Sequence, residues 1–173
     1  MLPIPLPEGF RIISGGQTGA DRAALDWAIR RGVPHGGWCP RGRLAEEGPI
    51  PPRYRLRETP QPLYEERTAW NVRDADATVI FSIAPELRGG SLLTRELARQ
   101  MGKPWLHLPA SLGVEEAARR LAEFVRACGA RTLNAAGPRA SNEPQIGRFV
   151  IAVLDRCFGA DTLPVETQAQ SSG

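Results

Sequence analysis

The feature that most constrains the fold is a short apolar segment that runs into a glycine-rich turn and then a helix, RIISGGQTGADRAALDWAIRRG over residues 11–32. The pattern predicts a strand at 10–14, a turn at 15–19 and a helix at 20–31. Turns of this shape hold phosphate or another oxyanion on backbone N–H groups at a helix N-terminus. Asp21 is either a first-turn acid of the helix or a group that positions a ligand.

The rest of the chain continues this alternation of apolar strands and amphipathic helices. Further strands are predicted at 33–38, 77–83, 105–108 and 132–136. Further helices are predicted at 63–74, 92–101, 114–128 and 145–158. Strands that are apolar without alternation are buried on both faces, as in parallel sheets covered by helices. We therefore expect an α/β fold with a parallel sheet of about five strands and helices on both faces.

The length of 173 residues predicts one domain. We expect the ligand-binding domain to span 1–158 and residues 159–173 to form a tail that adds little to the core. Segment 39–62 contains six prolines, so we expect it to have little regular structure. Its aromatic, apolar and charged residues predict an ordered lid loop rather than a disordered linker.

Charge, hydropathy and cysteine content exclude several classes of function. A formal net charge of +3 is too small to indicate a nucleic-acid partner. No apolar run approaches the ~18–20 residues of a membrane helix. Cys39, Cys128 and Cys157 show neither metal-site spacing nor even pairing, which favours reduced thiols, a cytoplasmic location and no metal site.

Three glycine turns follow three of the predicted strands, at 15–16, 89–90 and 137. In a parallel sheet the carboxyl ends of the strands share one edge, and ligands bind beyond that edge. The first turn lacks the Lys-Ser/Thr of a phosphate-binding loop, and no acidic residue follows at the distance that a dinucleotide site needs. The turns therefore predict an anion site at one rim and argue against a nicotinamide cofactor.

Arginines near this rim are candidate anion ligands. Arg41 and Arg43 flank a glycine in the lid, which suits a clamp of two guanidinium forks. The acids at 46–47 leave open that these arginines only form surface ion pairs. Arg139 lies two residues after the third glycine turn, and Ser141 beside it adds a hydrogen-bond donor.

Five longer segments occur in order within residues 11–144: SGGQTGADRAALD, GGWCPRGRLAEEGPIPPRY, ETPQPLYEERTAWNVRDADATVIFS, GGSLLTRELARQMGKP and LNAAGPRASNEP. Together they resemble the molybdenum-cofactor carrier family. The resemblance implies a Rossmann-like three-layer fold and a cytoplasmic homo-oligomer, a tetramer or dimer. It also implies binding of molybdenum cofactor (molybdopterin) or molybdate without turnover, with molybdoenzymes as partners.

A more distant resemblance is to the nucleoside-monophosphate phosphoribohydrolases that release cytokinins. Arg67 and Glu96 match the spacing of the catalytic pair of those enzymes, and Gly89-Gly90 matches their phosphate-binding glycines. The chain departs from their motif at Arg88, where they have proline, and at 92–93, where Leu-Leu replaces Gly-Thr. Since no Ser/His/Asp or Cys/His arrangement is evident, we expect a binding protein, with a phosphoribohydrolase as the alternative.

The predicted ligand site is a basic pocket for a small, phosphate-bearing anion, similar to a nucleotide site. Its members lie on the glycine turns, the lid and the starts of helices. They are Gly15, Gly16, Gln17, Thr18, Gly19, Arg41, Arg43, Arg67, Gly89, Gly90, Ser91, Thr94, Arg139 and Ser141.

Overall fold

The structure is a computed structural model and describes residues 1–160. In chain order its strands are β1 (Arg11–Ile13), β2 (His35–Gly36), β3 (Trp38–Cys39), β4 (Leu44–Ala45), β5 (Gly48–Pro49), β6 (Arg57–Glu58), β7 (Ala77–Ser82), β8 (Trp105–Pro109) and β9 (Thr132–Ala136). Its helices are α1 (Ala20–Arg31), α2 (Tyr64–Asp74), α3 (Gly89–Gln100), α4 (Val114–Cys128) and α5 (Ile146–Phe158).

Five of the strands form one parallel sheet in the order β2-β1-β9-β7-β8. Helices α1, α4 and α5 pack together on one face, and α2 packs against α3 on the other. The predicted α/β fold, with a parallel sheet between two helical layers, is therefore confirmed. Helix α3 begins at Gly89 rather than at 92, because the glycine turn itself forms the first helical turn.

The main hydrophobic core lies between the sheet and the layer of α1, α4 and α5. Ile12, Phe81 and Leu133 contribute from the strands, and all three are fully buried. Trp27 from α1 and Leu121 from α4 are buried against them. Helices with an apolar stripe and strands without polar alternation are what such a core requires.

Segment 39–62 has little regular structure, as expected, but it contains short strand ladders that the sequence does not predict. β3 pairs with β6 in parallel, and β4 pairs with β5 as a short antiparallel hairpin. Cys39, Ile50 and Tyr54 are buried with Leu25 of α1 in a second apolar cluster. The prolines flank these two-residue ladders or sit at their ends, so the few backbone N–H groups that pair are still available.

The predicted tail, 159–173, lies outside the described residues except for its first two positions. None of the described helices is long and apolar enough to span a membrane.

The order of the strands creates a crevice at the carboxyl edge of the sheet. From β1 the chain crosses over α1 to β2, towards one end of the sheet, whereas from β7 it crosses over α3 to β8, towards the other end. The last strand, β9, is inserted between β1 and β7. Because the crossovers leave this point in opposite directions, the space beyond β1, β9 and β7 is left open, which is where ligands bind in such sheets.

Candidate ligand-binding site

A cavity of about 860 Å³ occupies this crevice. It is lined by Gly15 after β1, Gly137 after β9 and Ala84 after β7, together with residues of α2 and the first turns of α3. The three predicted glycine turns therefore border one cavity, whose volume is in the range of small-molecule sites.

The structure brings nine of the fourteen predicted ligand-binding residues to this cavity. They are Gly15, Gln17, Arg67, Gly89, Gly90, Ser91, Thr94, Arg139 and Ser141. It does not bring the other five to the cavity wall, namely Gly16, Thr18, Gly19, Arg41 and Arg43.

The two lid arginines, Arg41 and Arg43, do not line the cavity. The Arg43 guanidinium donates hydrogen bonds of 2.8–2.9 Å to the carbonyl oxygens of Ile50, Pro51 and Tyr54, so it stabilises the lid itself. Arg41 is exposed to solvent. The predicted clamp of two guanidinium groups therefore does not form at the cavity, because the Arg43 guanidinium is bonded to backbone carbonyls of the lid.

A lid carboxylate is bonded to two of the predicted ligand residues. Glu46 accepts hydrogen bonds from the Thr18 hydroxyl and from both the backbone N–H and the hydroxyl of Ser141. The Thr18 hydroxyl in turn accepts the N–H of Ala140 at 3.2 Å. These bonds lower the pKa of Glu46, with the Ser141 hydroxyl as the largest cause. Thr18 thus joins the first turn to the lid rather than facing the cavity.

A buried ion pair forms part of the cavity wall. Arg67 donates to the Asp21 carboxylate at 3.1 Å, and the backbone N–H of Gln17 donates to the same oxygen at 3.2 Å. Burial raises the pKa of Asp21, while Arg67 acts in the opposite direction. Gly15 is required here, since a Cβ at that position would overlap the Arg67 guanidinium. Asp21 therefore orients Arg67 as well as the turn.

Gln17 presents a free hydrogen-bond donor in the same wall. Its side-chain oxygen accepts the backbone N–H groups of Thr18 at 3.1 Å and Glu46 at 2.9 Å, which fixes the orientation of the amide. Its Nε2 is buried and has no partner among the described residues. A buried amide N–H₂ without an acceptor is costly, so a ligand that supplies one gains affinity here.

The start of α3 supplies a second set of free donors. The first N–H groups of a helix have no intrahelical partner, and at α3 no side chain caps them and no acid lies in the first turn. Arg88, the N-cap residue, lines the cavity and forms no ion pair with any residue in 1–160. A cation at a helix N-terminus opposes the helix dipole, and a bound anion would offset that cost.

Carboxylates make the cavity less basic than the sequence predicts. Three arginines line it, but so do Asp21, Glu86 and Glu143. Asp21 is engaged by Arg67, and Glu143 accepts the backbone N–H groups of Ile83 and Ala84 at 2.8 and 2.9 Å. Among residues 1–160, the charged side chains of the wall that form no ion pair and accept no backbone N–H group are therefore Arg88, Arg139 and Glu86.

Sequence reasoning missed two residues that shape this site. The comparison with the phosphoribohydrolase motif shows Arg88 only as a departure from proline, although a cation directly before two glycines also indicates an anion site. Tyr64 lies under two of the three cavity arginines, with the guanidinium carbons of Arg67 and Arg139 at 5.3 and 5.4 Å from its ring centre. An aromatic residue at a predicted helix start gives no such indication, because its neighbours come from distant segments.

The second residue of the proposed hydrolase pair lies elsewhere. Ser91 and Thr94 of α3 line the cavity, whereas Glu96 points to another side of the helix and pairs with Arg95 and Arg99 at 3.2 and 2.8 Å. The structure therefore separates Glu96 from Arg67. Within residues 1–160, no cluster of three or more His, Cys, Asp or Glu side chains is placed to hold a metal ion.

These features define a class: a Rossmann-like α/β protein with a small-molecule cavity at the switch point of its sheet. The model of the circularly permutated YpsA SLOG family matches residues 12–158, and the chain belongs to this family.

A solved structure shares this fold at high sequence identity. It is described as a putative molybdenum carrier protein from Syntrophus aciditrophicus SB, and it is 45% identical to this chain with a TM-score of 0.84. The match covers 87% of this chain and 94% of that one. The resemblance to the molybdenum carrier family is thus confirmed. No curated protein matches the chain significantly.

Proposed function

We propose that this protein is a carrier that binds a molybdenum-containing anion, either molybdenum cofactor or molybdate, in the cavity at the carboxyl edge of the sheet. The observation that carries the proposal is a set of donors that face this cavity without internal partners. The similar protein from Syntrophus aciditrophicus is described as a putative molybdenum carrier, which supports the choice of cargo.

The donors suit a ligand with anionic groups at more than one point. The uncapped start of α3 and Arg88 form one group, and Arg139 lies at the wall formed after β9. The Gln17 amide adds a neutral donor for a carbonyl or ring acceptor. A pterin that carries a phosphate and an oxidised molybdenum centre offers acceptors of all these kinds, and helix starts and arginines are common phosphate ligands.

We propose that residues 1–158 act as one ligand-binding domain, that segment 39–62 covers the site as a lid, and that the protein is a cytoplasmic homo-oligomer. Molybdoenzymes are the proposed recipients of the cargo.

The position of Glu96 argues against the phosphoribohydrolase alternative. A carboxylate that acts on a bound nucleotide must lie within hydrogen-bond reach of it, directly or through one water. Glu96 is engaged by two arginines away from the cavity wall. We therefore infer binding without turnover.

The first test is chemical analysis of the purified protein. We expect metal analysis to detect molybdenum and mass spectrometry to detect a released pterin. Added cofactor should bind and oxidise more slowly than when free, because a lidded cavity excludes water and oxidant. Release of free base from nucleoside monophosphates, lost in Glu96→Gln and without any retained molybdenum, would replace the carrier function with the hydrolase.

The second test uses arginine variants. Arg88→Ala and Arg139→Ala should each weaken molybdate or cofactor binding by about 1–3 kcal/mol, the range for one charged hydrogen bond. Arg148→Ala is the matched control, since Arg148 is exposed, forms no ion pair among the described residues and lies outside the cavity. Equilibrium dialysis gives the affinities. Equal affinities in all three variants would show that neither Arg88 nor Arg139 contacts the ligand.

A further inference from the structure

A second, smaller cavity lies beside β1 and β2, apart from the site described above. It measures about 300 Å³, at the low end of small-molecule sites, and is lined by residues of β1, β2, β6 and the end of α2. Ile12 packs into the main core, so its neighbours Arg11 and Ile13 face the opposite side of the sheet, where this cavity lies. Helix α2 packs on β3 and β9 and leaves this part of the sheet open.

Three arginines line this small cavity: Arg11, Arg55 and Arg57. None of them forms an ion pair within residues 1–160, although the same residues include eleven ion pairs elsewhere. All three residues are exposed, so water screens part of their mutual repulsion, and a bound anion would relieve the rest. The one carboxylate in the wall, Asp74, is already bonded to Arg73 and to the indole N–H of Trp38.

Two of these arginines, Arg57 and Arg11, lie against neighbouring residues of the cavity wall. The Arg57 guanidinium lies over the Trp38 ring, 5.7 Å from its centre. The Arg11 guanidinium crosses β2 at Gly36, where a Cβ would come within 2.6 Å of its Nη2. A glycine at that position therefore lets Arg11 reach the cavity. The contact with Trp38 restricts the Arg57 guanidinium, which therefore loses less freedom on binding a ligand than an arginine without such a contact.

His35 also lines this small cavity. Its Nε2 accepts the backbone N–H of Arg55 at 3.2 Å, so the neutral ring carries its proton on Nδ1. Burial lowers the pKa of His35, and Arg55 and Arg11 lower it further, so the ring is neutral at pH 7. The cavity wall thus combines three arginines with His35 and Thr132.

We propose that this cavity is a second ligand site, which binds a phosphate group through Arg11, Arg55 and Arg57. A tetrahedral dianion offers acceptors to several forks at once and balances the excess of cations over the single carboxylate. The site is independent of the proposed carrier function, since it shares no lining residue with the large cavity. Its ligand is either free phosphate or the phosphate of a small organic ester.

The Trp38 indole N–H reports on this cavity directly. In a ¹⁵N–¹H spectrum the chain has four indole signals, and loss of one in Trp38→Phe assigns Trp38. Titration with inorganic phosphate, and separately with glycerol 3-phosphate, should shift that signal to saturation. A lower midpoint for the ester would identify an organic phosphate as the ligand, and equal midpoints would identify the free ion. No saturable shift with either probe would overturn the proposal.

Variants decide whether the signal comes from this site. Arg11→Ala should raise the midpoint of the Trp38 shift by about tenfold or more, as expected for a lost charged hydrogen bond. Two control variants should leave the midpoint of the Trp38 shift unchanged. They are Arg148→Ala, which removes the same charge elsewhere, and Arg139→Ala in the large cavity. An equal effect of Arg148→Ala would mean general charge screening, and an effect of Arg139→Ala alone would place binding in the large cavity. Either result overturns the proposal, and the spectra themselves show that each variant is folded.

Discussion

Single residues in the large cavity act mainly through their partners. Asp21 is buried, and the guanidinium of Arg67 is its only cationic hydrogen-bond partner within residues 1–160. Its pKa is raised because burial outweighs the effect of Arg67. A carboxyl group with a raised pKa stabilises the fold most when it is protonated, and that contribution is lost as the pH rises through the raised pKa.

Removal of Arg67 should therefore cost stability in a pH-dependent way. In Arg67→Ala we expect the free energy of unfolding to fall by about 3 kcal/mol at neutral pH, since a buried charge is left without its partner. The loss should shrink as the pH falls and Asp21 becomes protonated. Urea unfolding at several pH values measures both effects.

Two further variants test this explanation. Arg67→Ala combined with Asp21→Asn should regain much of the stability, because the unpaired carboxylate is gone. Arg73→Ala breaks an exposed pair with Asp74 and should cost about 1 kcal/mol at most. If the double variant were no more stable than Arg67→Ala, packing rather than charge would explain the effect.

At the scale of elements, the lid is tied to the carboxyl edge of the sheet by the tip of the β4–β5 hairpin. Glu46 is bonded to Thr18 and Ser141, and Glu47 pairs with Arg22 of α1. Elsewhere the lid packs through the apolar side chains of Ile50 and Tyr54, and it is bonded to Asp26 of α1, which accepts the Tyr54 hydroxyl at 2.7 Å and pairs with Arg53 at 3.3 Å. The hairpin tip therefore contributes two carboxylates to the attachment, and the pKa of one of them, Glu46, is lowered.

The attachment of the lid should weaken in acid. The pKa of Glu46 is lowered, so its contribution is complete above the ordinary glutamic acid pKa and is lost as the pH falls through the lowered value. We expect amide hydrogen exchange in segment 39–62, corrected for its intrinsic pH dependence, to accelerate over that range. In Glu46→Gln the lid should exchange faster at neutral pH and show no such transition.

Glu115→Gln is the control for this experiment. Glu115 also has a lowered pKa, through Arg156, but lies on α4 and away from the lid. It should leave lid exchange unchanged. A transition that persists in Glu46→Gln would show that another group controls the lid.

At the scale of the whole molecule, the buried thiols report on global opening. Cys157 is buried in the main core, and burial raises its pKa to about 12. Cys39 is buried in the lid cluster, whereas Cys128 is half-buried at the end of α4. Alkylation requires an accessible thiolate, so the burial of Cys157 and its raised pKa both protect it in the native state.

We therefore expect Cys128 to be alkylated first and Cys157 only upon global unfolding. Mass spectrometry of digested protein gives the three rates. Molybdate or cofactor at 100 times its dissociation constant should slow Cys157 labelling by a factor equivalent to about 2.7 kcal/mol, without touching that residue. The slowing should weaken in Arg139→Ala and persist in Arg148→Ala. Labelling of Cys157 as fast as that of Cys128 would contradict the buried environment.

The local spacing of residues in the sequence was sufficient to predict the class of fold and the edge of the sheet at which the cavity lies. The strand at β1, the glycine turn and α1 follow from residue spacing, and the same holds for β7, α3 and β9. Because parallel strands share one carboxyl edge, Gly15, Gly89 and Gly137 had to meet there once the strands were parallel. The short lid strands escaped prediction, because two-residue ladders have no periodicity to detect.

Only the tertiary structure decided which charged side chains face the cavity. Arg43 follows a glycine in the lid as a clamp would, yet it bonds to carbonyls that the folded lid places nearer. By its sequence Arg88 is only a departure from a motif, yet the start of α3 places it in the wall. The insertion of β9 between β1 and β7 likewise joins segments far apart in sequence. The direction of a side chain depends on partners from such distant segments, and local spacing does not encode them.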